Sequence, residues 1–212
     1  MARTVLSKKR LTEMKRTNIG RVVIFCEGKT EKYYFDYFAE IIRESKYTQV
    51  EVVLETAGGN AKTVLDFANA YISKEENNRA FSSYCKYLAY DCDSPPDIQA
   101  VVRDSVSYEL LISNYLFETW LLMHFEEVDT KLTKRQTYVK LSEHIRNSYR
   151  KGRRGIIREI IQNGEIVKAI DNARRLEEGY ESEGKSVFSD IKNMNPYTSV
   201  YKLVEQFMAE IS

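Results

Sequence analysis

Carboxylate side chains stand just beyond two apolar segments that have the composition of buried strands. Glu27 follows the run "VVIFC", and Glu31 comes four residues later in a segment with helical spacing. Asp91 and Asp93 follow a second run, "YLAY". Carboxylate oxygens are the ligands that Mg²⁺ and Mn²⁺ prefer, and carboxylates brought together without a cation repel one another or take up protons. These four acids are therefore candidate ligands of a divalent metal ion.

A parallel sheet would bring these acids together. The first half of the chain alternates strands with helical segments, the predicted strands being 21–26, 50–55, 84–91 and 107–113. Such alternation predicts parallel strands joined by right-handed crossovers, with helices on both faces. The carboxyl ends of parallel strands share one edge, where sites form. If the first and third strands are neighbours, about 4.8 Å apart, Glu27 and Asp91 converge.

The helical segments complete an α/β fold with a four-stranded, mainly parallel sheet. Thr30 and Asn60 are candidate N-caps for the helices that follow the first two strands. From residue 115 onward the pattern is helical, with segments predicted at 115–126, 132–149, 155–161, 164–178 and 198–211 and a polar loop at 179–194. We therefore predict a basic arm over 1–19, a catalytic core over 20–126, and a helical extension over 127–212 packed on that core.

The acids alone do not establish a site. Asp and Glu often follow strands because loops and helix N-termini favour them. Two acidic strand ends in the correct order, on the first and third strands, are more specific than one. Gly28, between Glu27 and the helix, also removes side-chain bulk where a phosphate backbone would have to approach.

Basic residues are concentrated in two segments although the net charge is only +1. One is residues 1–21, and the other is "RNSYRKGRRGIIR" over 146–158, which contains no acid. Such clusters neutralise phosphates, and they also occur as solvated arms and loops. The candidates for contacts with a nucleic-acid backbone are Lys29, Arg150, Lys151, Arg153 and Arg154.

Composition argues against several classes of protein. The cysteines Cys26, Cys85 and Cys92 are odd in number and form no CxxC pair, which disfavours a disulfide framework or zinc site and fits a reducing cytoplasm. The apolar runs fall short of the ~18 residues of a membrane span, and the basic N-terminus lacks the apolar region of a secretory signal. We expect a cytoplasmic protein with no membrane association.

Three motifs carry a resemblance to known proteins. Glu27-Gly28 with Thr30-Glu31, followed by Asp91-Cys92-Asp93, resembles the Toprim fold of topoisomerases, primases and OLD-type nucleases. The stretch "SNYLFETWLLMHF" (113–125) is similar to a signature of the RloB-like family, small Toprim proteins of prokaryotic defence loci. The stretch "NPYTSVYKLVEQF" (195–207) is similar to that family's closing helix.

The resemblance implies a Mg²⁺- or Mn²⁺-dependent nuclease that cleaves DNA or RNA, tRNA included. It also implies an ABC-type ATPase partner and a role in abortive infection against phage. Glu27 matches a Toprim glutamate that acts as general acid/base or metal ligand, Glu31 matches a second acid, and Asp91 and Asp93 match the metal-binding pair. Two residues depart from the family pattern: Tyr115 stands where proline is common, and Cys92 where a larger polar residue is common.

The segment 113–125 adds further candidates. Trp120 and His124 share a helical apolar stripe, which favours a core position for both, although a histidine there could instead donate to a phosphate. An acid inside an apolar helix is costly unless it is paired or bound to metal, so Glu118 is a candidate for the site. Asn114, at the end of the fourth strand, is another.

Other functions remain open at this stage. The principal alternative is a non-catalytic subunit that binds a metal or nucleotide and regulates the ATPase. Covalent catalysis by one of the fifteen tyrosines, or bond formation as in primases, is less favoured because the chain lacks the accompanying modules. The choice between DNA and RNA, and homo-oligomerisation, are left undecided by the sequence.

Overall fold

The sheet was analysed in a computed structural model that describes residues 19–43, 49–54, 59–92 and 98–211. Most of the predicted basic arm, and with it the cations of residues 1–18, lies outside the described residues. So does Asp93, one of the predicted metal ligands. The remaining predicted site residues can all be located.

The fold is α/β, as predicted, around a five-stranded sheet with the order β2-β1-β3-β4-β5. The strands are β1 (Arg21–Cys26), β2 (Gln49–Leu54), β3 (Cys85–Asp91), β4 (Glu109–Asn114) and β5 (Tyr197–Thr198). β1 to β4 run parallel, and β5 pairs antiparallel with β4. The prediction of four strands missed β5, because two residues are too few to show a period of two.

Helices flank the sheet and fill the C-terminal part of the chain. They are α1 (Lys29–Ile42), α2 (Ala61–Ser73), α3 (Glu75–Ala80), α4 (Ile98–Asp104), α5 (Phe117–Met123), α6 (Lys134–Glu143), α7 (Arg154–Asn163), α8 (Ile166–Ser182), α9 (Val187–Asp190) and α10 (Val200–Ile211). A 3₁₀ turn, Ile191–Asn193, follows α9. None of the helices in the described part of the chain is long and apolar enough to cross a membrane.

Helix boundaries confirm one predicted cap and correct another. The Asn60 side chain accepts hydrogen bonds from the backbone N–H groups of Lys62 and Thr63, which closes a capping box at the start of α2. At α1 the N-cap residue is Gly28, and Thr30 lies buried inside the first turn. The Thr30 hydroxyl instead accepts a hydrogen bond from the backbone N–H of Gly152, a contact that no local pattern encodes.

The apolar run of β1 supplies both halves of the core. Val22, Ile24 and Cys26 belong to the hydrophobic cluster on one face, whereas Val23 and Phe25 belong to the cluster on the other. Successive strand side chains point to opposite faces, so a strand covered on both sides must be apolar at every position. All five are fully buried, which explains why the run is uninterrupted.

The predicted helix over 132–149 ends early, at Glu143. The following residues, 144–153, form an irregular segment that we call the basic loop. Its sequence has no helical apolar period, and Gly152 adopts a left-handed conformation with φ of 70°, which glycine tolerates without steric cost. The early end of α6 frees this loop to fold back over the carboxyl edge of the sheet.

The turn from β4 into α5 is fixed by the C-terminal part of the chain. The amide of Asn114 donates to the carbonyl oxygens of Ile191 and Met194, both at 2.7 Å. The Asn114–Tyr115 peptide bond is cis. Asn114 therefore joins the end of β4 to the segment that precedes β5.

Candidate active site

Glu27 and Asp91 meet at one edge of the sheet, because the condition set by the sequence analysis, that β1 and β3 are neighbours, is met. β1 and β3 are hydrogen-bonded neighbours, with Cys26 opposite Ala89. The backbone N–H of Glu27 donates to the Ala89 carbonyl at 3.0 Å, which continues the pairing one residue further. The backbone N–H of Asp91 then donates to Oε2 of Glu27 at 3.1 Å. The side chain of one strand end is thereby held by the backbone of the other.

Asp91 links β3 to two other parts of the site. Its Oδ1 accepts a hydrogen bond from the backbone N–H of Phe117 at 2.7 Å, which satisfies an orphan donor at the start of α5. No side chain within α5 or at its N-cap does this. Its Oδ2 lies 3.4 Å from Nζ of Lys151. Only 3% of the residue is exposed, so these contacts are made in a water-poor environment.

Glu31 is buried in the first turn of α1 with one oxygen unsatisfied. The residue is 1% exposed, and its Oε2 has no hydrogen-bond partner. Burial raises the pKa of this carboxyl to about 7; Lys151 opposes the shift, and Glu118 and Glu27 add to it. Such a group favours the approach of a cation, because a charged carboxylate without a donor is costly to bury.

Gly28 gives the Glu31 carboxylate the space it occupies. A Cβ atom at position 28 would lie 2.6 Å from Oε2 of Glu31, well inside contact distance. Any larger residue would push this carboxylate away from its present place. Glycine between the two glutamates is therefore explained by packing within the site.

Glu118 joins the same cluster from α5. It is fully buried, its Oε1 accepts a hydrogen bond from the Tyr149 hydroxyl at 2.8 Å, and its Oε2 has no partner. Its charge acts on both Glu31 and Lys151. The structure thus places Glu118 beside the acids that follow the strands. We call Glu27, Glu31, Asp91 and Glu118 the acid cluster.

The basic loop brings an ammonium group into the acid cluster. Burial alone would lower the pKa of Lys151, but the charges of Asp91, Glu118 and Glu31 outweigh it and raise this pKa, so the side chain stays protonated. Tyr149, through Glu118, and the Gly152 N–H, through Thr30, anchor the loop on either side of Lys151. The sequence analysis named Lys151 only as a candidate contact with a nucleic-acid backbone, and it did not identify Tyr149 as a residue of the site. The direction in which a loop side chain points has no local sequence signature.

The donor set of the acid cluster fits a hard divalent cation. Three carboxyl groups, those of Asp91, Glu118 and Glu31, act on the Lys151 ammonium group, and two buried carboxylate oxygens, on Glu31 and Glu118, have no hydrogen-bond partner among the described residues. Within the described ranges no three acids, histidines or cysteines stand in a ready-made metal-binding arrangement, and Asp93 is outside those ranges. The chemistry of the oxygens suits Mg²⁺ or Mn²⁺, while Lys151 now provides the positive charge beside them.

The other predicted residues contact parts of the chain outside the acid cluster. His124 is fully buried among aromatic rings, with Nε2 at 3.1 Å from the Tyr34 hydroxyl, and burial lowers its pKa to about 3. Trp120 is fully buried beside it, as the apolar stripe predicts. The side-chain amide of Asn114 donates hydrogen bonds to two backbone carbonyl oxygens. Lys29 is exposed and lies next to Gly152.

The predicted backbone-binding arginines divide into two groups. Arg150 and Arg153 line an open cleft of about 750 Å³ together with Arg146. Arg154 instead forms an ion pair with Glu40 on α1, as does Arg158. Five arginines that look alike in the sequence therefore have different surroundings.

The fold and the acid cluster define a class: an α/β protein with a carboxylate site at the carboxyl edge of a parallel sheet, covered by a cationic loop. A family model described as RloB-like protein matches residues 22–207, most of the chain. The chain belongs to the RloB-like family. Comparison with curated proteins and with solved structures found no match.

Proposed function

We propose that this protein is a metal-dependent nuclease of the Toprim type that hydrolyses phosphodiester bonds in DNA or RNA. The observation that carries the proposal is the convergence of Glu27, Glu31 and Asp91 at one sheet edge, with a buried oxygen of Glu31 left without a donor. Structural carboxylates are normally satisfied by hydrogen bonds, so an unsatisfied one in an acid cluster is typical of a cation site.

The metal ligands in this proposal are Glu27, Glu31, Asp91 and Asp93, with Glu118 beside them. A bound Mg²⁺ or Mn²⁺ would polarise the phosphodiester and lower the pKa of a coordinated water. Glu27, at the half-buried rim, is placed to assist proton transfer. Asp91 keeps its position whatever binds, because the Phe117 N–H holds its Oδ1.

Lys151 supplies the positive charge that a phosphate needs at this edge. Its side chain is 37% exposed, so its ammonium group faces both the acids and the solvent from which a substrate arrives. A protonated lysine near the scissile phosphate neutralises charge that develops during hydrolysis. Tyr149 and Gly152 hold the loop on either side, so the ammonium is positioned in advance.

The proposal includes a partner. The family resemblance supports an ABC-type ATPase that restrains or activates this chain during phage infection. The sequence has no GxxxxGK[ST] motif, so a nucleotide-driven step would lie in the partner.

The test compares wild type with Glu27→Ala and Asp91→Ala on DNA and on tRNA, with Mg²⁺ or Mn²⁺, in the presence and absence of the ATPase. We expect each substitution to reduce cleavage by about 100-fold or more, since even residues behind metal ligands cost 10–100-fold. Glu51→Ala, an exposed acid on β2, is the control and should cleave as wild type does.

Cleavage that persists in both variants would exclude the acid cluster as the active site. Thermal stabilisation by Mg²⁺ that depends on Glu27 and Asp91, without cleavage of any nucleic acid, would support the alternative of a regulatory subunit that binds metal but does not hydrolyse.

A further inference from the structure

Three arginines without ion-pair partners line one open cleft. Arg146, Arg150 and Arg153 are all exposed, and within the described part of the chain their side chains form no salt bridge. Asn147 and Ser148 also line the cleft, which has a volume of about 750 Å³. The side chains that face this space are therefore mostly cationic or hydrogen-bonding.

Among the described residues that line the cleft there is one acid against three arginines. Glu159 of α7 accepts a hydrogen bond through Oε1 from the backbone N–H of Arg146 at 2.8 Å. Its carboxylate thus fastens the loop backbone to α7, and the cleft keeps three guanidinium groups against one carboxylate. An arginine cluster with this excess of charge is suited to phosphate oxygens, which guanidinium groups bind in a bidentate manner.

Arg154 and Arg158 provide an internal contrast. Both are about half exposed, yet both form ion pairs with the two oxygens of Glu40. A phosphate that approached them would have to compete with that carboxylate. Arg150 and Arg153 have no such competitor, so position alone separates two pairs of arginines within nine residues.

The basic loop faces the acid cluster on one side and the cleft on the other. Tyr149, Lys151 and the Gly152 N–H contact the acid cluster or the helix that carries Glu31. Arg150 and Arg153 line the cleft. Consecutive Cα atoms are about 3.8 Å apart, so Arg150 and Lys151 leave the loop backbone at adjacent points, and a strand that reaches Lys151 passes the same short stretch of loop that carries Arg150.

We propose that this cleft binds the backbone phosphates next to the scissile phosphodiester, with Arg150 and Arg153 as the principal contacts and Arg146 at its end. The inference rests on the proposed function, since it takes the acid cluster as the place of hydrolysis. Contacts to phosphate fix the position of a strand but carry no sequence information. The cleft therefore holds RNA and DNA alike and sets where the strand lies.

The experiment measures binding without hydrolysis. The full chain is titrated with short fluorescein-labelled single-stranded RNA and, separately, DNA, in EDTA, over a range of salt concentrations, and the dissociation constant is read from fluorescence anisotropy. The variants are Arg150→Ala/Arg153→Ala and the control Arg154→Ala/Arg158→Ala. Each removes two positive charges, so any effect of net charge or of the basic N-terminal segment is the same in both.

We expect the Arg150/Arg153 variant to bind both probes roughly tenfold more weakly and to reduce the slope of log K against log salt by about 1.4, two phosphates at about 0.7 each for single strands. The control should change the slope by less than half as much. Equal losses in the two variants would overturn the proposal, as would no loss in the first or no saturable binding by wild type.

The outcome is separable from that of the proposed function. If wild type binds as expected but hydrolyses neither probe when Mg²⁺ is added, with or without the ATPase, the cleft stands and the nuclease does not. If wild type hydrolyses and the Arg150/Arg153 variant binds as tightly as wild type, the nuclease stands and the cleft does not. Circular dichroism spectra and melting curves of both variants show that each is folded.

Discussion

Two parts of the molecule bury a glutamate near tyrosines and a lysine, but they differ in how many hydrogen-bond donors reach its carboxylate. Glu177 on α8 accepts hydrogen bonds from Tyr197 (2.7 Å), Tyr201 and Lys202 (2.8 Å), so that both carboxylate oxygens have donors. Burial raises its pKa, but these three donors together bring the pKa below its ordinary value. Glu31, in the acid cluster, has its pKa raised to about 7 and an oxygen with no partner.

The difference separates a carboxylate whose oxygens both have donors from one that keeps a buried oxygen without a hydrogen-bond partner. At Glu177 the chain supplies every donor, and the group joins α8 to β5 and α10. In the acid cluster, Glu31 and Glu118 each keep a buried oxygen with no hydrogen-bond partner among the described residues, and Lys151 supplies a positive charge. A buried charge left short of partners is costly, and this cost is typical of sites whose missing partner comes from outside.

The largest effect on stability is expected at Glu177. Glu177→Gln removes the charge that Lys202 and the two tyrosines stabilise, and should lower the free energy of unfolding by about 2–3 kcal/mol. The melting temperature should then fall by roughly 4–12 °C for a chain of this size. Urea unfolding monitored by circular dichroism measures the change in the free energy of unfolding. The neighbouring exposed Glu178→Gln should stay within about 0.5 kcal/mol of wild type.

The pH dependence of the difference in unfolding free energy between wild type and Glu177→Gln shows whether the Glu177 charge causes it. A carboxylate with a lowered pKa in the folded state stabilises the fold above its unfolded pKa, here 4.5, and the stabilisation is lost as the pH falls through the lowered value. The gap between wild type and Glu177→Gln should therefore be constant at neutral pH and narrow below about pH 4.5. A gap that persists unchanged through the acid range would show that the charge is not its cause.

A smaller effect is expected where the basic loop meets the acid cluster. Tyr149→Phe removes the hydroxyl that donates to Glu118, whose other oxygen already lacks a donor. Loss of this donor from a buried carboxylate should cost about 1–2 kcal/mol of unfolding free energy. Tyr33→Phe, at a half-buried tyrosine packed against the same core, is the matched control. If both tyrosine variants unfold alike, the loop is not held through Glu118.

The smallest effect, and one of opposite sign, is expected at Glu31. Glu31→Gln in EDTA near pH 8 should leave stability unchanged or raise it by up to about 1 kcal/mol, because it removes a buried charge that Glu118 and Glu27 oppose. Adding Mg²⁺ should raise the melting temperature of wild type and of Glu51→Gln, but not that of Glu31→Gln. Destabilisation by Glu31→Gln in EDTA comparable to that of Glu177→Gln would remove the distinction between the two sites.

Features that depend on local pattern could be predicted from the sequence. The apolar run of β1 specified a strand buried on both faces, and Asn60 specified the start of α2. The apolar spacing around Trp120 specified a core-facing helix. The alternation of elements predicted a parallel sheet, but it left open whether β1 and β3 are neighbours, and the structure supplies that condition for the meeting of Glu27 and Asp91. The strand, the cap and the helix are encoded by residues close together along the chain.

Features that depend on contacts between residues far apart in the chain could not be predicted from the sequence. Lys151 reaches Asp91 across sixty positions, and Tyr149 reaches Glu118 across thirty-one. The same basic run contains Arg150, which lines the cleft, and Arg154, which is paired with Glu40. A count of charges in the sequence does not distinguish Arg150 from Arg154. Only the path of the backbone, set by the early end of α6 and the left-handed Gly152, decides which way each one points.

The pairing of β5 with β4 also has a consequence for synthesis. Ser113 lies opposite Thr198, and the acceptors for the Asn114 amide are at Ile191 and Met194. A nascent polypeptide on the ribosome cannot close this edge, nor fix the turn into the helix that carries Glu118, until those late residues have emerged. Maturation of the carboxylate site is thereby coupled to the synthesis of residues 191–198, and a product that stops before them would lack these supports.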